Sequence, residues 1–419
     1  MKILIIGSGG REHALAWQVA QFNHQVFVAP GNGGTALASN LKNIDIAITE
    51  FEKLIEFVNS HSIDLTIVGP EIPLATGIVD RFRSENLAIF GPTQQAAQLE
   101  SSKTFSKNFM KRHNIPTAFY ESFTEVEKAK TFVKKHGTPI VIKADGLAAG
   151  KGVVVAQTEM QAFKTIEDML AGNQFGTAGH RVVIEEFLEG IEASFIVMTD
   201  GVHVLPMATS QDHKARDDGD KGPNTGGMGA YSPAPIVTDE LHATILTEII
   251  EPTLKGLRDD GIEYTGFLYA GIMITKEGPK VLEYNCRFGD PETQPIMMRL
   301  KTDLSKLCLA ALDKKLNSVT AEWDPRFAVG VVMASRDYPD NYPKGNEIKG
   351  LDNITNAIVF HAGTILREQK IITNGGRVLC VTALGDTLQD AQNTAYNALK
   401  PIHWGCEFYR TDIGSKAIN

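Results

Sequence analysis

The chain has 419 residues, 43% hydrophobic and 22% charged, with a formal net charge of −9. Such a composition excludes a disordered chain, and the acidic excess leaves no electrostatic footprint for a general nucleic-acid role. The length predicts about two to four domains. Cys286, Cys308, Cys380 and Cys406 are scattered without a Cys-x-x-Cys, a pattern of neither a disulfide framework nor a zinc site. No apolar run approaches a membrane span, and the one before Gly7 is too short for a signal sequence. The expected setting is the cytoplasm, with no membrane or nucleic-acid partner.

Residues 3–6 read as a buried strand, followed by Gly7-Ser8-Gly9-Gly10 and a helix over 13–22 with Leu15, Val19 and Phe22 on one face. A glycine turn from strand into helix offers amides to an anion. The pattern is not a dinucleotide fingerprint, because Glu12 stands where the third glycine would be. With Arg11 inside it, the turn predicts a bound phosphate on Gly9, Gly10 and Arg11. Similar loops follow the strands at 25–29 (Pro30-Gly31-Asn32-Gly33-Gly34-Thr35) and 64–68 (Gly69-Pro70-Glu71). Repeated strand–loop–helix units predict a parallel sheet with ligands at the carboxyl ends of its strands. A sugar or amine is expected near Glu71.

Phe90-Gly91-Pro92 marks a boundary, and 101–113 reads as a helix with Lys103 in its first turn. A cation there opposes the helix dipole, so an anion is expected nearby. Strands at 139–143 and 152–156 are joined by Ala144-Asp145-Gly146-Leu147-Ala148-Ala149-Gly150-Lys151, a link able to close over polyphosphate. It is not a Walker loop, since Gly152 replaces the hydroxyl residue. Residues 181–188 alternate into Glu185-Glu186-Phe187-Leu188, a strand running into a hinge that suits a flat base, with Glu192 beyond for ribose hydroxyls. The stretch 210–233 is rich in Gly, Asp and Pro and reads as a long surface loop, a lid or substrate loop bearing Asp212, Lys214 and Arg216. His13 and His213 receive no role. Residues 239–258 read as a long helix bent at Pro252.

An antiparallel pair at 265–275 and 280–285 delivers the stretch Val-Leu-Glu-Tyr-Asn-Cys-Arg-Phe-Gly-Asp-Pro-Glu-Thr-Gln over 281–294. Strand alternation puts Glu283 and Asn285 on one face, about 7 Å apart. A carboxylate and an amide oxygen can share a hard cation such as Mg²⁺, which takes oxygen ligands and bridging phosphates. Arg287 continues the parity beside that cation. A solvated strand end followed by a turn is the competing reading. After it, 327–334 and 377–383 alternate as strands and 387–399 is an amphipathic helix, expected to pack on the first domain and close the crevice with no chemistry of its own.

Taken together, Gly-Ser-Gly-Gly-Arg-Glu-His-Ala at 7–14, Lys-Ala-Asp-Gly-Leu-Ala-Ala-Gly-Lys-Gly at 143–152 and Arg-Phe-Gly-Asp-Pro-Glu-Thr-Gln at 287–294 resemble the glycinamide ribonucleotide synthetase family of ATP-grasp ligases. Gln211–Lys214 and Asn224–Ser232 add further agreements, so the likeness spans essentially the whole chain. It implies an α/β fold: an N-terminal parallel-sheet (pre-ATP-grasp) domain over 1–100 and a two-lobed ATP-grasp unit, ending in a small C-terminal α/β domain. The lobes fall at 101–190, with a mobile lid near 120–190, and 191–326; the last domain spans 327–419. The activity implied is ligation of glycine to 5-phosphoribosylamine at the expense of ATP, through glycyl phosphate.

By the same resemblance, Lys103, Lys143, Gly146, Gly150 and Lys151 hold the ATP phosphates. Glu185, Glu186, Phe187 and Leu188 form the adenine hinge, and Glu192 meets the ribose. Glu283 and Asn285 are the Mg²⁺ or Mn²⁺ ligands; Arg287, Asp212 and Lys214 serve the acyl phosphate, glycine and amine. Gly9, Gly10, Arg11, Asn32, Gly34, Thr35 and Glu71, with Asn224, Gly226, Asp290 and Glu292, line the remaining substrate sites. The implied assembly is a monomer in transient contact with the enzyme supplying phosphoribosylamine. One departure stands out: 268–274 carries no acid, where many ATP-grasp relatives place a further metal carboxylate. An ATP-grasp carboxylase subunit and a silent nucleotide-binding protein are the rival readings; the N-terminal loops argue against the first, and the presence of Glu283, Asn285 and Arg287 against the second.

Overall fold

The computed structural model describes residues 1–147, 152–172 and 179–418. The N-terminal sheet is parallel, in the order Leu41–Asn43, Gln25–Pro30, Lys2–Gly7, Leu65–Val68, Ile89–Phe90. Alternate residues of Lys2–Gly7 enter opposite cores. Ile3 and Ile5 pack with Ala14, Leu15 and Val19 of helix Gly10–Ala20. Leu4 and Ile6 pack with Leu54 and Val58 of helix Phe51–His61 and with Phe82. Burial on both faces explains the unbroken apolar run. The strand order reverses between Lys2–Gly7 and Leu65–Val68, which opens a crevice at their carboxyl ends and places Arg11 and Glu71 beside it.

Antiparallel sheets form the next two layers. Tyr120–Phe123, Val182–Glu186, Ile140–Ala144 and Val153–Ala156 form the smaller lobe, backed by helices Val126–His136 and Glu159–Leu170. Val204–Pro206, Ile191–Thr199, Gly266–Thr275 and Gly278–Asn285 form the larger. The expected bend at Pro252 is instead a π-helical turn, Leu246–Ile250, between helices Asp239–Ile245 and Glu251–Asp259. Pro252, which lacks an N–H, falls in the first turn of the last piece, where that loss is tolerated.

The reading of 210–233 as a surface loop is corrected. Gln211–Asp212 and Gly229–Ser232 are strands of the C-terminal sheet, in the order Gln211–Asp212, Gly229–Ser232, Phe327–Ser335, Arg377–Gly385, Ile358–His361. Ser210, His213, Met228, Ala230, Tyr231 and Ser232 are buried. Their polar groups are met inside the protein: Ser210 Oγ donates to Tyr231 O at 2.8 Å, and Ser232 Oγ to Thr209 O at 2.8 Å. The Gly/Asp/Pro richness belongs to an exposed hairpin, Ala215–Asp217 with Lys221–Asn224, between buried flanks.

One core runs through N-terminal, central and C-terminal parts alike, joining Leu15 and Val19 to Ile296, Met297, Phe360 and Cys380. No helix among the described residues is long and apolar enough to cross a membrane.

Candidate active site

Strand Gly278–Asn285 pairs with Gly266–Thr275, and its register slips at Leu282: Gly271 lies opposite Glu283, but Ile272 lies opposite Val281. A residue inserted into one strand of a ladder bends it and changes which face its neighbours occupy. Val281, Tyr284 and Cys286 therefore all enter the core, while Glu283, Asn285 and Arg287 line a cavity of ≈ 480 Å³. The bulged residue also contributes: Leu282 O accepts a hydrogen bond from Lys143 Nζ at 3.1 Å.

Three lysines line one wall: Lys143 from the smaller lobe, and Lys103 and Lys107 from helix Lys103–Arg112, whose Phe109 and Met110 pack in the larger lobe's core. Lys143 Nζ lies 3.0 Å from Glu185 Oε2, and Lys107 Nζ lies 2.9 Å from the same oxygen. Both lysines hold Glu185 below the usual carboxylate range, although burial opposes them. Burial lowers Lys107 and Lys103 from the ordinary lysine value. Lys103 Nζ donates to Gly146 O at 3.2 Å, and Asp145 accepts from Thr104 N–H at 2.7 Å. The anion expected at this helix start is thus supplied partly by the protein itself.

On the opposite wall Arg287 is held by Glu100 at 2.8 Å, by Asn285 Oδ1 at 3.1 Å, by Phe288 O at 3.1 Å and by Glu71 at 3.5 Å. Burial would lower its affinity for protons, but Glu100 and Glu71 outweigh it and keep it charged. Burial raises Glu100, whereas Arg287 and Arg11 outweigh burial at Glu71 and lower it. Lys214 contacts Glu192 and lies 3.8 Å from Glu283. Glu283 is lowered against its burial by Lys214, Lys143 and Lys103. Burial pushes Asp212 well above the carboxylate range, with Lys214 opposing and Glu292 and Glu192 adding to it. Ser194 Oγ joins Tyr269 Oη at 3.0 Å to Glu292 Oε1 at 2.9 Å.

The cavity gathers Arg11, Glu71, Lys103, Lys143, Glu185, Asp212, Lys214, Gly226, Glu283, Asn285, Arg287, Asp290 and Glu292 from the sequence reading. Other expected residues are engaged within the protein. The Gly9 amide donates to Glu12 Oε2 at 2.6 Å, and Arg11 Nε to Glu12 Oε1 at 2.6 Å. The residue in the third-glycine position therefore brings its own anion, and the Gly10 Cα faces Gln294. Asn32 caps helix Gly33–Leu37 and donates to His361 O at 2.7 Å. Gly34 packs on His13 and His361, and Thr35 is buried in the same cap. These residues join the first domain to the last and do not line the cavity.

The Glu185 side chain clamps Lys107 and Lys143, which leaves the backbone of the hinge stretch to any base. Glu186 Oε2 accepts from Phe119 N–H at 3.4 Å; Phe187, Leu188, Gly146, Glu192 and Asn224 lie outside the cavity lining, Asn224 being exposed. Gly150 and Lys151 lie outside the described residues.

Sequence reading missed Lys107, Glu100, Tyr269, Tyr338, Tyr342 and Arg377, all of which line the cavity. Lys107 was accessible, being four positions after Lys103 on one helix. Arg377 carried no signal, yet it donates to Asp290 Oδ2 at 3.0 Å and Gly226 O at 2.7 Å. The C-terminal domain, expected to hold no chemistry, thus supplies part of the wall. Among the described residues no trio of His, Cys, Asp or Glu forms a metal cage. Glu283 and Asn285 offer oxygen donors only, which fits a hard divalent cation bound mainly through phosphates and water.

The chain matches the N domain of phosphoribosylglycinamide synthetase over residues 1–100, its ATP-grasp (A) domain over 101–293 and its C domain over 328–416. The chain belongs to the phosphoribosylglycinamide synthetase family. It is 61% identical to the phosphoribosylamine–glycine ligase of Escherichia coli K12, over 100% of this chain and 99% of that protein. The corresponding ligase of Vibrio cholerae is 60% identical over the same shares. A crystal structure of phosphoribosylamine–glycine ligase from Thermotoga maritima superposes with a TM-score of 0.86 at 34% identity, covering 99% of this chain and all of that one. The biotin carboxylase of Campylobacter jejuni, with a TM-score of 0.74 at 14% identity over 99% and 94% of the two chains, shares the fold alone. Members of the phosphoribosylglycinamide synthetase family thus keep the ATP-grasp lobes between an N domain and a C domain, as seen here.

Proposed function

We propose that this chain ligates glycine to 5-phosphoribosylamine with ATP, giving glycinamide ribonucleotide, ADP and phosphate, the second step of de novo purine biosynthesis. The observation carrying the reading is the convergence of Lys103, Lys143, Lys214 and Arg287 around Glu283 and Asn285 in one cavity. Glycine's carboxylate is a poor acylating agent, and it must approach an anionic phosphate. Two like unit charges at 4 Å repel by about 4 kcal/mol near a protein surface. Lys143 and Lys103 would bear on the nucleotide phosphates, and Arg287 on the phosphoryl group as it passes to the carboxylate. Glu283 and Asn285 would hold Mg²⁺ or Mn²⁺, which when bound neutralises phosphate charge. Asp212 and Lys214, both lining the cavity, would orient the glycine and the incoming amine, and Glu71, between Arg11 and Arg287, suits the amine of phosphoribosylamine. Attack of that amine on glycyl phosphate forms the amide and expels phosphate.

The assembly proposed is a cytoplasmic monomer that meets the enzyme supplying phosphoribosylamine only in passing. The test of the function is phosphate release from ATP with glycine and freshly generated phosphoribosylamine, each omitted in turn. Release dependent on glycine is expected; release indifferent to glycine counts against the ligase.

A further inference from the structure

His213 has no part in the chemistry above, yet it stands between Asp212 and Lys214, which both line the cavity. Adjacent side chains on an extended chain point to opposite sides, so its ring turns away from the cavity and is completely buried. Its backbone is tied to the C-terminal sheet: His213 N–H donates to Gly229 O at 2.9 Å, and Met228 N–H donates to His213 O at 2.8 Å. Its ring Nε2 accepts from Gly414 N–H at 3.3 Å.

The same distant segment holds the outer end of the hairpin that follows. Arg410, 1% exposed, donates to Ala215 O at 3.0 Å and Asp220 Oδ1 at 2.9 Å, while Asp412 fixes its other side at 2.7 Å. Gly219 N–H donates to Asp412 at 2.8 Å, Thr411 N–H to Asp218 at 2.8 Å, and Lys416 pairs with Asp220 at 2.8 Å. A two-stranded hairpin is marginal by itself, and Lys221–Asn224 is exposed throughout. Its direction is therefore set by these ties. Its inner end carries Lys214 and Thr225, bonded through Thr225 N–H to Lys214 O at 2.8 Å and both facing the cavity. None of residues 410–416 lines the cavity.

We propose that residues 410–416 form a strap that positions the substrate hairpin, with His213 as the positioning residue linking the two. The strap fixes where Asp212 and Lys214 meet glycine and the amine, and leaves the nucleotide contacts of Lys103 and Lys143 untouched. It rests on the ligase reading for the identity of those substrates.

The test compares His213→Leu, which removes the acceptor, with His213→Gln, which returns one, and with Lys416→Ala at the strap's half-exposed end. Three readouts are taken: amide hydrogen exchange across 211–226, KM for glycine, and affinity for a non-hydrolysable ATP analogue by calorimetry. His213→Leu is expected to speed exchange and to raise KM for glycine about tenfold, the size of one lost buried hydrogen bond. Affinity for the analogue stays within about twofold. His213→Gln recovers most of the loss, and Lys416→Ala shows a smaller effect of the same sign. Unchanged exchange in a folded variant overturns the strap, as does an equal fall in nucleotide affinity. Should His213→Leu fail to fold, Lys416→Ala decides alone on the same criteria. Exchange needs no turnover, so wild-type protein lacking glycine-dependent phosphate release would sink the ligase reading and leave the strap measurable.

Discussion

Arg287 shows how much one side chain has to satisfy. Its guanidinium sits between Glu100, Glu71 and Asn285, so the positive charge is fixed in place before any phosphoryl group arrives. Arg287→Lys keeps the charge but loses the planar fork. It is expected to lower amide formation about 10²–10³-fold, with analogue affinity changed by less than about threefold; single-turnover product formation beside calorimetric titration gives both numbers, and an equal loss in both contradicts the assigned role. At this scale the sequence was most legible where chemistry needs unusual residues at short range. Glu283, Asn285 and Arg287 share a parity, and Lys143 ends a strand beside a small-residue loop. Glu100 and Arg377 were invisible because their partners lie far away in sequence, at 287 and 290. Glu12 was seen, but only as a missing glycine; that its carboxylate caps the Gly9 amide is a fact of folding.

Among elements, the strand Val182–Glu186 carries a side-chain role that its sequence did not announce. Its backbone reads as running into a hinge for the base, and the Glu185 carboxylate is in addition a clamp on Lys107 and Lys143. The clamp predicts the outcome of Glu185→Gln. Removing the carboxylate leaves two buried ammonium groups uncompensated, a cost of about 3–5 kcal/mol, so the melting temperature without ligand is expected to fall. The same change makes the cavity more positive, so the rise in melting temperature on adding an ATP analogue is expected to grow. A shrinking rise would contradict the clamp. Element prediction succeeded wherever periodicity was local, as in the parallel sheet and the pair Gly266–Thr275 with Gly278–Asn285. It failed at 210–233 because a turn-rich hairpin masked the short strands Gln211–Asp212 and Gly229–Ser232, whose burial depends on Phe327–Ser335 a hundred residues later. The bulge at Leu282 was likewise unreadable, although it alone lets Val281 join the core while Glu283 faces the cavity.

At the scale of the molecule, loops expected to bind substrate also fasten the first domain to the last. Asn32 donates to His361 O, Gly33 N–H to Thr364 Oγ1 at 3.2 Å, and His361 N–H to His13 Nδ1 at 2.9 Å. Glycine at position 34 is required by close approach: a Cβ there would lie 2.5 Å from both imidazole rings. Because His13 Nδ1 accepts a hydrogen bond, its ring must be neutral at that nitrogen. Burial lowers His13 to about 4 and His361 to about 3, against 6.5 for an unperturbed histidine. Below pH 6.5 the unfolded chain therefore binds protons that the folded chain refuses. Stability is fully present above that pH and drains away as pH falls toward 4. Each group contributes about 2–3 kcal/mol over that window. Urea midpoints measured at pH 7, 6 and 5 are expected to fall steadily, and His13→Gln, which keeps an acceptor for His361 N–H but cannot titrate, should flatten the slope by close to one proton. A slope unchanged in His13→Gln would mean that this junction is not where acid acts. A flattened slope would place the acid-sensitive seam between Asn32–Thr35, a loop expected to meet substrate, and His361–Thr364.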